Sequence, residues 1–205
     1  MKPSVGNSKS FKTILLLFIF VVYIGLPLSI LFGLIGFDYK FYALTIGGII
    51  VYAVFRLLGF SNRDLGITDQ NIIKSILYVL PITILLAITG IILWINGFSR
   101  ITPNEKWTFF IFYIFVSSPI QEFLYRGALE SAFEKLRIPY VVRMFSTSIL
   151  YSFVHIIYRD WLTLVLTFII GLVWYYCYQK PKNLIGVSIS HAVLGVVTIV
   201  AGIIN

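Results

Sequence analysis

The sequence predicts an all-α protein, a polytopic transmembrane helical bundle of about seven spans, and three observations carry that reading. Of 205 residues, 59% are hydrophobic and only 12% charged, and the mean hydropathy is +0.95. A soluble domain carries roughly a quarter charged residues, so this chain cannot cover itself with a water-facing surface. The apolar residues fall into runs long enough to cross a hydrocarbon core, which takes about 20 residues of helix. Finally, the formal charge of +8 is carried by short gaps between those runs and not by one stripe. That is the pattern of loops beside anionic lipid headgroups, which argues against nucleic acid as a partner.

Taken in order, the spans are expected at about 13–35, 41–60, 72–97, 107–129, 140–158, 161–179 and 183–203. Lys2, Lys9 and Lys12 precede the first run, which is longer than the 7–15 residues of a signal-peptide core and lacks its small-residue exit. It therefore reads as a retained span. Short hinges such as Phe37-Asp38-Tyr39-Lys40 and Lys180-Pro181-Lys182-Asn183 separate the later runs. The sequence contains no internal repeat and no long linker, so one membrane-embedded domain over 1–205 is expected, with its motif-bearing core at 107–203. Cys177 is the single cysteine. No intrachain disulfide can form, and it reads as a small apolar packing residue.

Orientation follows from the distribution of lysine and arginine. A cytoplasmic N-terminus places Lys2, Lys9, Lys12, Arg56, Arg63, Lys74, Lys135, Arg137, Arg143, Lys180 and Lys182 inside, and leaves Lys40, Arg100, Lys106 and Arg159 outside. The expected location is the plasma membrane of a bacterium, with the lipid bilayer and a membrane-associated peptide or protein as partners.

The residues that do not belong in lipid are few. Span four carries Ser117, Ser118, Gln121, Glu122 and Arg126 within SSPIQEFLYRGALE, span five carries His155, and span seven carries Ser188, Ser190 and His191. A charge at a helix centre costs about 2.5–3.5 kcal/mol on insertion scales, so these side chains are expected around a polar intramembrane cavity among the last four spans. Glu122 and Arg126 stand four apart, with the acid N-terminal to the base, the favourable order for an intrahelical pair. That pair could simply fasten helices, and either histidine alone could be a hydrogen-bonded packing residue. Three helices each supplying one member of a Glu/His/His set point further. A carboxylate and two imidazoles can activate a water by general-base chemistry, or hold a divalent metal such as zinc through Glu122, His155 and His191. The chain has no HExxH signature.

At these residues the sequence resembles the CPBP family, which includes the CAAX prenyl-protein endopeptidases and the bacterial Abi-type, bacteriocin-processing proteins. The family pattern is EExxxR followed by glycine, then FxxxH, then HxxxN or HxxxD, each on its own membrane helix. The matching elements here are Gln121-Glu122-Phe123-Leu124-Tyr125-Arg126-Gly127, then Tyr151-Ser152-Phe153-Val154-His155, then His191-Ala192-Val193-Leu194-Gly195. Weaker support comes from Asp64-Leu65-Gly66-Ile67. Glu122, Arg126, His155 and His191 carry over by identity. Gln121 stands where the family has its first glutamate, the family's base for the attacking water, and glutamine cannot take a proton at neutral pH. Gly195 replaces the last Asn or Asp, and Tyr151 replaces Phe.

The resemblance implies an intramembrane endopeptidase, either a metalloprotease or a glutamate-type hydrolase, with Glu122, His155 and His191 catalytic. Gln121, Arg126, Tyr151 and Gly195 would support them. The two departures also fit a catalytically silent relative that binds a partner or acts as an immunity factor. A small transporter is the third alternative, with Glu122, Arg126 and the histidines as a relay. Adjacent helical residues point about 100° apart, so a site shaped for residue 121 receives Glu122 only through a helix rotation or a bulge. Depth poses a second demand. Glu122 and His155 each lie about 20 Å along their antiparallel spans at 1.5 Å per residue, so span four must be long and tilted, or span five must start below the interface.

Overall fold

The computed structural model describes residues 9–204, and the side chains from residue 11 onward. Lys2 and the side chain of Lys9, both part of the charge bias above, lie outside the described residues. Among the described residues seven helices follow one another: α1 Phe11–Leu31, α2 Phe37–Leu57, α3 Ile72–Ile95, α4 Trp107–Lys135, α5 Tyr140–Tyr158, α6 Trp161–Gln179 and α7 Leu184–Val200. No strand forms among the described residues. The first six are long and apolar enough to cross a membrane, whereas α7, at 17 residues, falls short of the usual length. The chain is thus an integral, multi-pass membrane protein, and all seven expected runs are present as helices.

Burial is inverted relative to a soluble protein. Along α3, Leu77, Leu85 and Ile95 are more than half exposed, because lipid is their solvent. Serines, threonines and charged groups lie inside, where they find partners. The most extensive helix pair is α3 with α7. Gly186 makes this approach possible, since a Cβ there would strike the Ser75 carbonyl. Polar groups finish the seam: Gly186 N–H donates to Ser75 Oγ, and Thr83 Oγ1 donates to Ser190 Oγ at 2.7 Å. Asn183 caps α7 by accepting from Ile185 N–H. Its amide also donates to the Thr68 and Gln70 carbonyls, tying the 61–70 loop beneath the bundle.

The helix α4 is the longest, at 29 residues, and it is not uniform. Tight α-turns give way to π-helical turns at Tyr113–Ser117 and Phe123–Leu129. A similar turn, Val21–Gly25, interrupts α1. Pro27 and Pro119 each follow one of these turns closely. A proline ring clashes with the carbonyl four residues before it, and a widened turn relieves that clash. Its length lets α4 reach far enough that Arg126 packs on Tyr151 of the antiparallel α5, one turn short of His155.

One surface feature sits outside the membrane-spanning segments. Asp160 caps α6 by accepting from Thr163 N–H, and Arg100 pairs with it at 2.9 Å. These hydrogen bonds, led by that of Arg100, hold the Asp160 carboxyl well below the usual range. A depressed folded-state value contributes stability that is complete above the unfolded value of about 3.9 and is lost as pH falls below it. The melting temperature in detergent should therefore drop as pH is lowered from about 4, and Asp160→Asn should flatten that acid limb. An unchanged limb in the variant refutes the assignment.

Candidate functional site

Glu122 sits at the centre of the interior, fully shielded, and its environment follows from the cost of a charge there. Its Oε1 accepts from Arg126 Nη1 at 3.3 Å and from His191 Nδ1 at 2.7 Å. Arg126, 1% exposed, sends Nη2 to the Gly171 carbonyl of α6 at 3.2 Å. Its guanidinium also lies over the Tyr151 ring at 4.3 Å and the Trp174 ring at 5.4 Å. Arg126 is therefore held by Glu122, the partner its spacing suggests, and by a carbonyl of a neighbouring helix. Glu130, one turn further along α4, accepts instead from Gln179 and pairs with Lys182 and Arg143.

His191 is held on every side. Trp174 stacks on it at 4.7 Å and 21°, while Tyr113 and Tyr151 present their edges at 5.9 and 5.8 Å. Trp174 is itself oriented by donating to Ser190 Oγ. A carboxylate only accepts hydrogen bonds, so Nδ1 of His191 carries the proton toward Glu122. The result is one buried cluster joining α4, α5, α6 and α7. Within it, Glu122 Oε2 has no hydrogen-bond partner.

His155 belongs to a different surface. It stands in the tightened last turn of α5, Val154–Tyr158, and its Nδ1 lies 2.9 Å from the Tyr151 carbonyl. A carbonyl can only accept, so Nδ1 carries a proton, and in the neutral ring Nε2 keeps its lone pair. The ring lines two adjoining cavities, and Gln121 and Ser117 line both with it. Gln121 Nε2 donates to Ser117 Oγ at 3.0 Å. The first cavity takes its walls from α1, α2, α4 and α5, and the second from α2, α4, α5, the 101–105 loop, Ile199 of α7 and Ile204. The cavity expected among the last four spans is thus displaced toward α1 and α2. The reason is that Arg126, Tyr151 and Trp174 fill the space between α4, α5 and α6 with a packed stack.

The seven residues singled out in the sequence therefore fall into two groups. Glu122, Arg126, Tyr151 and His191 form the buried cluster, with Gly195 one helical turn beyond. Gln121 and His155 face the cavities. Tyr151 joins the groups, its ring 5.2 Å from His155 and 5.8 Å from His191. The metal version of the site does not fit. Glu122 and His191 meet through a direct hydrogen bond, His155 stands across Tyr151 from them, and no three His, Cys, Asp or Glu among the described residues form a group able to hold a metal ion.

Residues 103–197 match a protein-family model described as Rce1-like, type II CAAX prenyl endopeptidase Rce1-like. This region of the chain is similar to the family that its three motif elements resemble, the CPBP family. No curated protein and no solved structure matches the chain. Within the matched region, the structure explains one departure from the CPBP pattern. A Cβ at Gly195 would collide with the Tyr113 hydroxyl and ring, so the space of the missing Asn or Asp side chain is filled from α4. Tyr113, Trp174, Gly171 and Lys40 are site neighbours that sequence reading did not select. Aromatics in a membrane helix look lipid-facing, a carbonyl leaves no side-chain signal, and Lys40 reads as a hinge charge.

Two outcomes follow for the purified protein. Arg126→Ala should cost about 3–5 kcal/mol by leaving Glu122 buried and unpaired, and adding Glu122→Gln should recover part of the loss in thermal stability. Gly195→Asn should destabilise by about 1–3 kcal/mol through overpacking, and Tyr113→Ala should relieve it. Absence of relief would place the clash elsewhere.

Proposed function

We propose that the chain, acting as one membrane-embedded unit, takes a segment of a membrane-associated peptide or protein into the cavity beside Gln121 and His155. In its present sequence it holds that segment more than it cuts it. The observation that carries this reading is which of two neighbours faces the cavity. Gln121 does, while Glu122 is turned inward and committed to Arg126 and His191. A general base must reach the proton it abstracts within a hydrogen bond or one water, and the amide of Gln121 cannot take one. Glu122, with the rest of the buried cluster, then serves to fix how α4 packs against α5, α6 and α7, and so which face of α4 walls the cavity. The protease-type family of residues 103–197 supports a peptide as the ligand.

Cleavage is the second reading, favoured by the placement of His155, whose Nδ1 is engaged by the Tyr151 carbonyl so that a neutral ring has its basic nitrogen at Nε2. Neutral imidazole is a competent base near pH 7, and Gln121 can orient a water by hydrogen bonding. In that case the reaction would be a peptide hydrolysis in the membrane with His155 accepting the proton.

The two are separated with the full chain in nanodiscs and a lipid-anchored fluorogenic peptide. The holding reading expects binding with negligible turnover, and an increase of about 100-fold or more for Gln121→Glu, the scale of general-base catalysis. Robust turnover by the natural sequence, abolished by His155→Ala and indifferent to Gln121→Glu, would overturn it in favour of cleavage. Loss of turnover in a folded Glu122→Gln protein, with Gln121→Glu inert, would instead return the role of base to Glu122.

A further inference from the structure

The two adjoining cavities share a cation that the reading above does not use. Lys40 lines both of them, together with Gln121 and His155. Its ammonium lies 3.6 Å from the Phe37 ring centroid, 4.9 Å from that of Tyr158 and 5.3 Å from that of Phe41. No hydrogen bond or ion pair to a carboxylate holds it among the described residues. Asp38 and Glu105 act on it only at longer range. Phe37 is edge-on to Tyr158 at 5.7 Å, so the rings brace one another and the cage is built by packing, not by one flexible side chain.

We infer that Lys40 is the recognition point for a carboxylate on the bound chain, and that this carboxylate fixes which bond lies beside His155. A half-buried ammonium surrounded by ring faces keeps part of its stabilisation through cation–π attraction, yet its donors remain open toward the cavity. An entering anion adds a charge-assisted hydrogen bond without displacing an existing partner. The placement is also informative. Tyr158 stacks with His155 at 6.1 Å and 29° while Lys40 sits against the same Tyr158 ring, so the anchored anion lies about one ring away from the imidazole. Beyond that point the first cavity is walled by Leu26, Pro27, Leu44 and Leu124, which suits apolar side chains and excludes a second charge. The fitting ligand is an apolar peptide segment bearing one carboxylate, at its C-terminus or on an acidic side chain near it.

The inference rests on peptide binding in the cavity, and the experiment keeps the two apart. Binding to the full chain in phosphatidylcholine nanodiscs is measured for a fluorescent apolar peptide with a free C-terminal carboxylate and for the same peptide capped as its amide. A third peptide carries the amide cap and one glutamate. In a parallel arm, thermal stability is compared with and without phosphatidate in the nanodisc. Either acidic peptide should bind about tenfold tighter than the neutral amide, as expected for a hydrogen bond to a charged group. Lys40→Gln should erase the difference and Lys40→Arg should keep most of it. Equal binding of acid and amide by the natural protein overturns the carboxylate site while leaving peptide binding intact. No peptide binding but stabilisation by phosphatidate that depends on Lys40 overturns the peptide proposals and makes the ligand a lipid headgroup. No response in either arm overturns both. The comparison of acid with amide needs no variant, so it stands even if Lys40→Gln fails to fold.

Discussion

Glu122 is a carboxylate that neither water nor lipid can solvate, and the interior is organised around that fact. An unpaired charge at such depth is costly, so Arg126 answers it from one turn away on the same helix and His191 from α7. Arg126 in turn needs acceptors and ring faces, and finds them in the Gly171 carbonyl, Tyr151 and Trp174. Trp174 then stacks on His191 and closes the circle. Each partner constrains the next helix, so the relative rotation of α4, α6 and α7 is set by a few polar contacts and not by apolar matching. Lipid-facing leucines and isoleucines would tolerate many rotations of these helices; the buried ion pair tolerates few.

That rotation decides what the cavity sees. With Glu122 aimed inward, its neighbour Gln121 is carried about 100° around the helix to the wall shared with His155. The π-helical turns at Tyr113–Ser117 and Phe123–Leu129 bracket this stretch and let α4 pass Pro119 without breaking. They also put Tyr113 where its hydroxyl takes the space beside Gly195. The two departures from the CPBP pattern therefore sit in different physical situations. Gly195 is compensated by a large residue from another helix, whereas Gln121 presents an amide to the cavity with no compensating acid on the same helical face.

The membrane character, the seven helical runs and the inward placement of the polar residues were legible in the sequence, because each depends on local composition and on the cost of polarity in lipid. The Glu122–Arg126 pair was legible too, since four-residue spacing on a helix is geometry and not tertiary structure. So were the three motif elements that resemble the CPBP family. Which neighbour of the Gln121-Glu122 pair faces the cavity was decided only by tertiary packing, for adjacent residues are equivalent until a partner helix chooses a direction. Packing likewise separated His155 from His191, since Tyr151 occupies the space between helices where one shared volume was expected. It moved the cavity toward α1 and α2, and it gave Lys40, a hinge charge by sequence, three aromatic neighbours brought together from α2 and α5. Such cross-helix meetings leave no trace in spacing along the chain, because their distances are set by helix length, tilt and the shapes of residues far apart in sequence.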